Sequence, residues 1–332
     1  MKKDKKTIFK LVAVLLAIVF CFGAVFIGID LIENNYVGKM DDEALLGADT
    51  GEYNQIEKDG KTYELKSRVE TILLIGLDNY GHVQDSQSYT NSQQADFLAL
   101  LVIDRKAEEC TIIHINRDTM ADIPMLGFNG DRVGTISAQL ALAHTYGSGM
   151  QDSCRNTVDA VSELLGVRID SYMSLTMGAI GTINDMIGGV EVEVLEDFSK
   201  YDPELVKGAT VTLKNEQALT YVRMRMDVGD QTNMSRMIRQ KQYMTSFVDK
   251  FVAEYENNNH IIIDAIEQVG DYMVTDMTAQ ELNNMAQYMS TYTLGDIVTP
   301  AGENVMGDKY IEHYINQDAL LDMIIDVFYE EI

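Results

Sequence analysis

VETILLIGL (Val69–Leu77) and DFLALLVID (Asp96–Asp104) are the two stretches that decide the fold of this 332-residue chain. Both are almost continuous apolar runs, and a shorter one, TIIHIN (Thr111–Asn116), follows them. Apolar runs without a polar alternation are typical of central strands that are covered on both faces. Helical patterns alternate with strand patterns further along the chain. The sequence therefore predicts an α/β layered domain with a central mixed sheet flanked by helices.

Charged side chains stand at the ends of these predicted strands. Asp78 follows the first strand, and Arg117 with Asp118 follows the third. In layered α/β folds, ligands bind at the carboxyl ends of strands, so all three residues are candidates for a site. A turn aspartate or a surface ion pair explains each of them equally well, and for any one residue taken singly that is the simpler interpretation.

An arginine-rich stretch, TYVRMRMDVGDQTNMSRMIRQKQY (Thr220–Tyr243), lies in a chain whose formal net charge is −26. Arg223 and Arg225 are two residues apart, so they share a face where the chain is extended. The spacing i, i+3, i+4 of a predicted helix joins three further side chains on one face. These are Arg236, Arg239 and Gln240.

Convergent guanidinium groups are forked, permanently charged donors that suit a phosphate or pyrophosphate. The abundant Asp and Glu offer an alternative explanation, in which the arginines form ion pairs on a solvated face. These residues alone leave the two interpretations about even. The acidic balance of the whole chain argues against a nucleic-acid partner, because binding a phosphate backbone requires a broad basic surface.

The N-terminal region predicts a membrane anchor. Residues 1–10 are rich in lysine, and residues 11–29, LVAVLLAIVFCFGAVFIGI, carry no charge. A run of this length spans a bilayer, for which roughly 20 residues are needed. Lysines before the run and acidic residues after it place the N-terminus in the cytoplasm and the remainder outside the cell. A cleaved signal peptide is the alternative, disfavoured because no small-residue cleavage site closes the run.

The rest of the chain divides into two predicted regions. Residues 30–66 are polar and acidic and are interpreted as an extracellular stalk, and residues 67–332 are interpreted as the folded external domain. Cys110 and Cys154 lie in the external part, where an oxidising environment would allow them to pair. Two buried free thiols are the favoured alternative.

The order and spacing of several motifs resembles the LytR-CpsA-Psr family of cell-wall glycopolymer transferases. The motifs are ILLIGLD, ADFLALLVID, IHINRD, LAHTYGSG, NTVDAVSELLGVRIDSY, INDMIGGVEVEV, LKNEQALTYVRMR and SRMIRQKQ. The resemblance implies an enzyme that takes a glycopolymer from a polyprenyl-pyrophosphate carrier, transfers it with its phosphate to peptidoglycan and releases polyprenyl phosphate. It also implies an apolar cavity for the lipid tail between the sheet and the helices.

The resemblance further implies roles for single residues. Asp78 and Asp96 would hold Mg²⁺ (or Mn²⁺) on the pyrophosphate. Asp118 is a possible general base, although orienting Arg117 is the favoured role, and Arg117 and Arg225 are the arginines expected to be essential for transfer. The side chains expected on the pyrophosphate oxygens are Arg117, Arg223, Arg225, Arg236 and Gln240, with Arg239 as further support.

The chain departs from the family pattern at four positions. Tyr80 and Gln94 stand where the family usually has arginine, Asn116 replaces a usual proline, and Ala141 replaces a usual asparagine. Two basic contacts to phosphate are therefore expected to be missing, which affects affinity and donor choice more than the chemistry.

Two other functions remain compatible with the same residues. A polyprenyl-pyrophosphate hydrolase would use water as the acceptor, and only its products would distinguish it. A non-catalytic lipid or glycopolymer binder is the alternative outside enzymology, and the presence of both Asp78 and Asp96 disfavours it.

Overall fold

The computed structural model describes residues 55–224, 227–229, 267–278 and 292–332 apart from 308, together with scattered positions between 238 and 288. The predicted cytoplasmic tail (1–10), the anchor (11–29) and the stalk up to residue 54 lie outside the described residues. So do Arg225, Arg236 and Gln240. Within the described part, no helix has the length and apolar character needed to cross a membrane.

The described chain divides into two compact units. The first unit is drawn from Leu74–Gln84 and Met173–Tyr292, and the second from residues 55–73, Asp85–Tyr172 and Thr293–Ile332. Each unit is formed by segments that are distant in sequence, so neither is a separate stretch of chain.

A six-stranded sheet contains the strands β3 (Val69–Leu77), β4 (Ala95–Asp104), β5 (Glu109–Ile115), β8 (Ser171–Thr176), β11 (Met273–Thr275) and β12 (Thr293–Val298). Their order in the sheet is β11-β8-β3-β4-β5-β12. β4 and β5 are antiparallel, whereas β5 and β12 are parallel, which confirms the predicted mixed sheet.

The two apolar runs form strands because their side chains are buried on both faces. Residues 71–77 of β3 and 95–103 of β4 are all buried, without the alternation of a half-exposed strand. At about 25 cal/mol per Å² of apolar surface removed from water, this burial is the main local source of stability. The prediction from continuous apolar runs is therefore confirmed for both strands.

In the second unit, smaller sheets and two helices accompany these strands. β1 (Gln55–Lys58) pairs with β2 (Lys61–Leu65), which also pairs with β15 (Tyr329–Glu331), so residues 55–65 of the predicted stalk are folded. The remaining elements are the hairpins β6 (Met120–Leu126) with β7 (Arg132–Gln139) and β13 (Gly302–Met306) with β14 (Ile311–Ile315), and the helices α1 (Gln151–Leu165) and α4 (Gln317–Phe328).

The mostly apolar sequence of residues 136–146 predicts a helix that is closed by Gly147, and this prediction is wrong in its first part. Residues 136–139 complete strand β7, and only Leu140–Thr145 is helical, as a 3₁₀ segment. The segment is apolar enough to form either a helix or a strand. Residues 132–139 pair with β6 over the whole length of that strand. Strand pairing therefore decides the structure of an apolar segment whose periodicity is ambiguous.

The first unit contains the hairpin β9 (Val190–Glu193) with β10 (Thr210–Leu213), and the helices α2 (Gly178–Met186) and α3 (Glu216–Arg223). From the sequence, residues 178–187 and 216–222 are expected to be helices and residues 190–198 and 211–213 to be strands, so all four elements are confirmed near these positions. β9 alternates buried valines with exposed glutamates, as its sequence indicates.

The sequence predicts that Asp152 or Ser153 caps the start of helix α1 and that Gly166 ends it. The first prediction is wrong, because no side chain caps the start of this helix, and the second is confirmed. The Asp152 carboxylate accepts from the Ser148 backbone N–H and hydroxyl, at 2.8 Å and 2.6 Å, so it secures the preceding turn and does not cap the helix. At the other end, Gly166 adopts the left-handed conformation (φ 65°) that terminates helices.

The two cysteines of the described chain are free and buried, as favoured from sequence. Burial raises the pKa of the Cys110 thiol to about 12. Cys154 lies 3.7 Å from His144 Nε2, and His144 Nδ1 lies 3.1 Å from the Gln93 carbonyl oxygen. A carbonyl can only accept, so Nδ1 carries the proton and Nε2 accepts from the thiol. From the sequence, His144 is expected to be a hydrogen-bonded structural histidine rather than a catalytic one, and its contacts confirm this expectation.

We predict that His144 makes the protein less stable in acid. Burial lowers its pKa from 6.5 to about 4. Between these pH values the unfolded chain binds a proton that the folded chain does not bind, so stability falls as pH decreases through this window. The shift corresponds to about 3 kcal/mol. Urea unfolding at pH 7 and pH 4 should show this extra loss in the wild type relative to His144→Gln. Replacing the exposed His82 by glutamine is the matched control, and coincident wild-type and His144→Gln profiles would contradict the assignment.

Candidate functional site

Asp96 and Arg117 meet because β4 and β5 are antiparallel. Leu98 is paired with Ile115 in the register of the two strands. Continuing that register by two residues places Asp96 opposite Arg117, the second residue after the end of β5. Arg117 Nη1 donates to Asp96 Oδ1 at this point. The pair is therefore a consequence of strand register.

The ion pair between Asp96 and Arg117 is largely buried. The Asp96 side chain is 1% exposed and that of Arg117 is 17% exposed. A carboxylate placed in such a site requires a charged partner, because an uncompensated buried charge costs several kcal/mol. The pairing fixes the guanidinium at the end of the strand, in a single orientation.

Asp118 lies beside this pair and is held by two further groups. Its Oδ1 accepts from Gln139 Nε2 at 3.0 Å and lies 3.6 Å from Arg117 Nε. Its backbone oxygen accepts from the His313 N–H at 2.9 Å. Burial raises the pKa of the Asp118 carboxyl, and the charges of Arg117 and His313 oppose that shift. Two contacts on the same oxygen fit the favoured role of orienting Arg117.

In the first unit, Asp78 and Arg223 are both placed at the ends of elements. Asp78 is the residue after β3 and is half-buried. Arg223 is the last residue of α3, and its guanidinium carbon lies 4.4 Å from the centroid of the Tyr80 ring. An aromatic face attracts a cation at this distance. The sequence marks Tyr80 only as a position where the family usually has arginine. In the structure, Tyr80 contacts Arg223, a residue that is predicted to bind pyrophosphate.

The structure corrects the role expected of Arg239. Its side chain is completely buried, so it is not positioned to contact a ligand directly. Nη1 donates to the Tyr221 carbonyl, Nη2 donates to the Met224 carbonyl at 2.7 Å, and Nε lies 2.9 Å from Glu196 Oε2. The guanidinium also lies 4.9 Å from the centroid of the Phe198 ring. Arg239 therefore fixes the backbone at the end of α3, next to Arg223.

The structure thus groups the predicted residues by unit. Asp96, Arg117 and Asp118 come together in the second unit, whereas Asp78, Arg223 and Arg239 belong to the first. Among the residues that the structure describes, no group of three or more His, Cys, Asp or Glu side chains is arranged to hold a metal. Asp78 and Asp96 are each carboxylates, the type of ligand that Mg²⁺ commonly takes together with water and substrate phosphates. The assignment of Mg²⁺ to these two residues stays a prediction.

Sequence reasoning missed two partners of these residues. The sequence predicts a helix at Gln139, so it gives no reason to pair this residue with Asp118. Glu196 lies in a predicted alternating strand and is one of 52 acidic residues, so nothing in the sequence marks it as the partner of Arg239. Both contacts depend on tertiary structure, which spacing along the chain does not reveal.

Comparison with known proteins shows clear relatives. A sequence profile of the LytR_cpsA_psr family matches residues 45–323. The polyisoprenyl-teichoic acid–peptidoglycan teichoic acid transferase TagU of Enterococcus faecalis is 26% identical over 245 residues, which cover 72% of this chain and 73% of that protein.

Solved structures share the fold. The crystal structure of TagV from B. subtilis aligns with a TM-score of 0.54 and 21% identity, over 79% of this chain and 97% of that one. A structure described as TagT bound to LI-WTA aligns with a TM-score of 0.53 and 20% identity, over 79% and 90% of the two chains. At these identities the likeness concerns the fold alone.

We predict that Arg239→Met destabilises the protein by about 3–5 kcal/mol, because Glu196 is left as an uncompensated, mostly buried charge. Denaturant unfolding measures the loss. Combining Arg239→Met with Glu196→Gln should recover part of it, since the unpaired charge is then removed. Arg223→Met, in the same stretch but half-buried, is the matched control and should cost less than about 1 kcal/mol. Equal effects of the two single substitutions would contradict the structural role of Arg239.

Proposed function

This chain belongs to the LytR-CpsA-Psr family, and from that premise we propose that it is a phosphotransferase that attaches a glycopolymer to peptidoglycan. The donor is a glycopolymer linked to polyprenyl pyrophosphate, and the second product is polyprenyl phosphate. The TagU relative, whose name states transfer of teichoic acid to peptidoglycan, supports the reaction class.

The observation that carries this proposal is the buried Asp96–Arg117 pair. Phosphoryl transfer demands little covalent work from a protein and depends on positioned charge. A guanidinium fixed by a buried carboxylate is already oriented for phosphate oxygens, so little reorganisation is required when the substrate binds. The Arg117 side chain keeps 17% of its surface exposed, whereas Asp96 keeps 1%. Arg117 is therefore the more accessible member of the pair.

The reaction forms one bond and breaks one. A peptidoglycan hydroxyl oxygen attacks the phosphorus nearer the sugar, and the bond from that phosphorus to the bridging oxygen breaks. The departing phosphate stays on the polyprenyl chain and takes the bonding electron pair. Arg117 and Arg223 stabilise negative charge on the phosphate oxygens, and Arg225, Arg236 and Gln240 are expected to add further donors. Arg239 contributes indirectly, through the backbone.

Asp78 and Asp96 are the residues that would hold Mg²⁺ in this proposal. Bound there, Mg²⁺ would supply positive charge that offsets the charge of the pyrophosphate. The acceptor hydroxyl must also lose its proton, which the departing polyprenyl phosphate can take up. Asp118 has a pKa raised by burial, which suits a proton acceptor better than an ordinary carboxylate, but its contacts with Gln139 and Arg117 favour an orienting role.

The proposed location follows from the N-terminal sequence. Lysines precede the uncharged run 11–29, and acidic residues follow it. We place the N-terminus in the cytoplasm, the run in the cell membrane and the folded domain outside, where peptidoglycan and the lipid carrier are both available.

We predict that Arg117→Lys lowers transfer by roughly 100- to 1000-fold, because lysine keeps the charge beside Asp96 but loses the forked donor geometry. The assay uses the purified full-length chain in detergent, a short-chain lipid-pyrophosphate saccharide and peptidoglycan oligomers, and mass spectrometry follows the products. Arg132→Ala is the matched control, since Arg132 belongs to the same unit and pairs with Glu163 on the surface. Transfer at the wild-type rate in Arg117→Lys would remove the basis of the proposal.

The same assay separates the alternatives. EDTA should abolish transfer and added Mg²⁺ should restore it. A saccharide phosphate attached to the acceptor, absent from Asp96→Asn, establishes the transferase. Free saccharide phosphate with no adduct would identify a hydrolase, and tight binding without turnover would identify a binding protein.

A further inference from the structure

Tyr80 in the first unit has no assigned role, and its position is defined by contacts from two sides. It is two residues beyond Asp78, and its ring lies 4.4 Å from the guanidinium carbon of Arg223. The side chain is 37% exposed, so it is not needed to fill the core. A partly exposed aromatic ring under a guanidinium therefore calls for an explanation other than packing.

The backbone around Tyr80 is fixed by hydrogen bonds. The Met177 N–H donates to the Asn79 carbonyl at 2.8 Å, and the Thr176 hydroxyl donates to the Gly81 carbonyl at 2.8 Å. The Gly81 N–H also donates to Asn79 Oδ1 at 3.1 Å. The residues on both sides of Tyr80 are thus tied to the end of β8, and the ring is presented from a rigid segment.

A glycine allows this segment to pack closely. A Cβ atom at Gly178, the first residue of α2, would lie 2.2 Å from the Tyr80 carbonyl oxygen and 2.4 Å from Tyr272 Cε1. Both distances are far below van der Waals contact, so only glycine fits. The Tyr272 ring also lies edge-on to the His82 ring, with 4.6 Å between the two ring centroids. The place of the Tyr80 backbone is therefore set by the end of β8 and the start of α2.

The ring restricts Arg223 without competing for its hydrogen-bond donors. A guanidinium carries its five N–H groups in its own plane, whereas an aromatic ring contacts it from above or below that plane. Stacking on Tyr80 thus restricts the orientation of the cation through the face of its plane.

We infer that Tyr80 is a positioning residue for anion binding, which acts by holding the Arg223 guanidinium on its ring face. The inference rests on the proposed function, because the anion is the pyrophosphate of the lipid-linked donor. It also states what the departure from the family pattern achieves in this chain. Where the family usually has an arginine, this chain has the ring of Tyr80, which supports the guanidinium of Arg223 instead of contacting phosphate with a charge of its own.

The test is a double-substitution cycle on the full-length chain in detergent, with geranyl pyrophosphate as the probe and calorimetry as the readout. Tyr80→Leu should weaken binding about two- to fivefold, which is the value of an exposed cation–aromatic contact. Tyr80→Phe keeps the ring and should bind like the wild type. Arg223→Ala should weaken binding roughly 10- to 100-fold, the value of losing charged hydrogen bonds.

The combination of Tyr80→Leu with Arg223→Ala decides the mechanism. A residue that acts only through Arg223 adds no effect once Arg223 is absent, so the double variant should bind like Arg223→Ala alone. Thermal unfolding of each Tyr80 variant should match the wild type, which excludes a loss of folding as the cause.

Three results would overturn the inference. Wild-type affinity in Tyr80→Leu would show that the ring does not position the arginine. Additive losses in the double variant would show that Tyr80 contacts the ligand directly. Both leave the proposed function intact, because the wild type still binds the probe. A wild type that fails to bind geranyl pyrophosphate would overturn the inference and the proposed function together.

Discussion

The antiparallel register of β4 and β5 is the constraint on which the proposed chemistry depends. Leu98 opposite Ile115 fixes Asp96 opposite Arg117, and a slip of one residue would turn each side chain to the other face of the sheet. The apolar side chains of both strands are buried, so such a slip would expose the core. Core packing therefore protects the geometry of the ion pair, although the core residues never contact a ligand.

Sequence predicted the strands well because burial on both faces leaves a plain apolar signal. It also predicted β9, β10, α2 and α3 near their observed positions, and the structural role of His144. It failed where tertiary pairing decides, as in residues 136–139, which are apolar in a way that suits either a helix or a strand. The register that joins Asp96 to Arg117 was also beyond it, because strand pairing depends on residues that are distant along the chain.

The arginine-rich stretch shows the same limit within one motif. Spacing placed Arg223 and Arg239 in a single cluster with a single expected role, but the structure gives them different environments. Arg223 is half-buried against an aromatic ring, whereas Arg239 is wholly buried on Glu196 and two backbone carbonyls. Residue type and periodicity are identical for a ligand-binding arginine and a structural one. Only the burial of the guanidinium separates them.

The buried thiols of Cys110 and Cys154 have a consequence for the chemistry of the environment in which we place this domain. The thiolate is the form that reacts with oxidants and disulfides, and burial with a pKa raised to about 12 keeps Cys110 protonated. The Cys154 thiol donates a hydrogen bond to His144 Nε2 within the core and is equally shielded from solvent. The described part of the chain therefore offers no reactive thiol at its surface, and its fold does not depend on the formation or reduction of a disulfide.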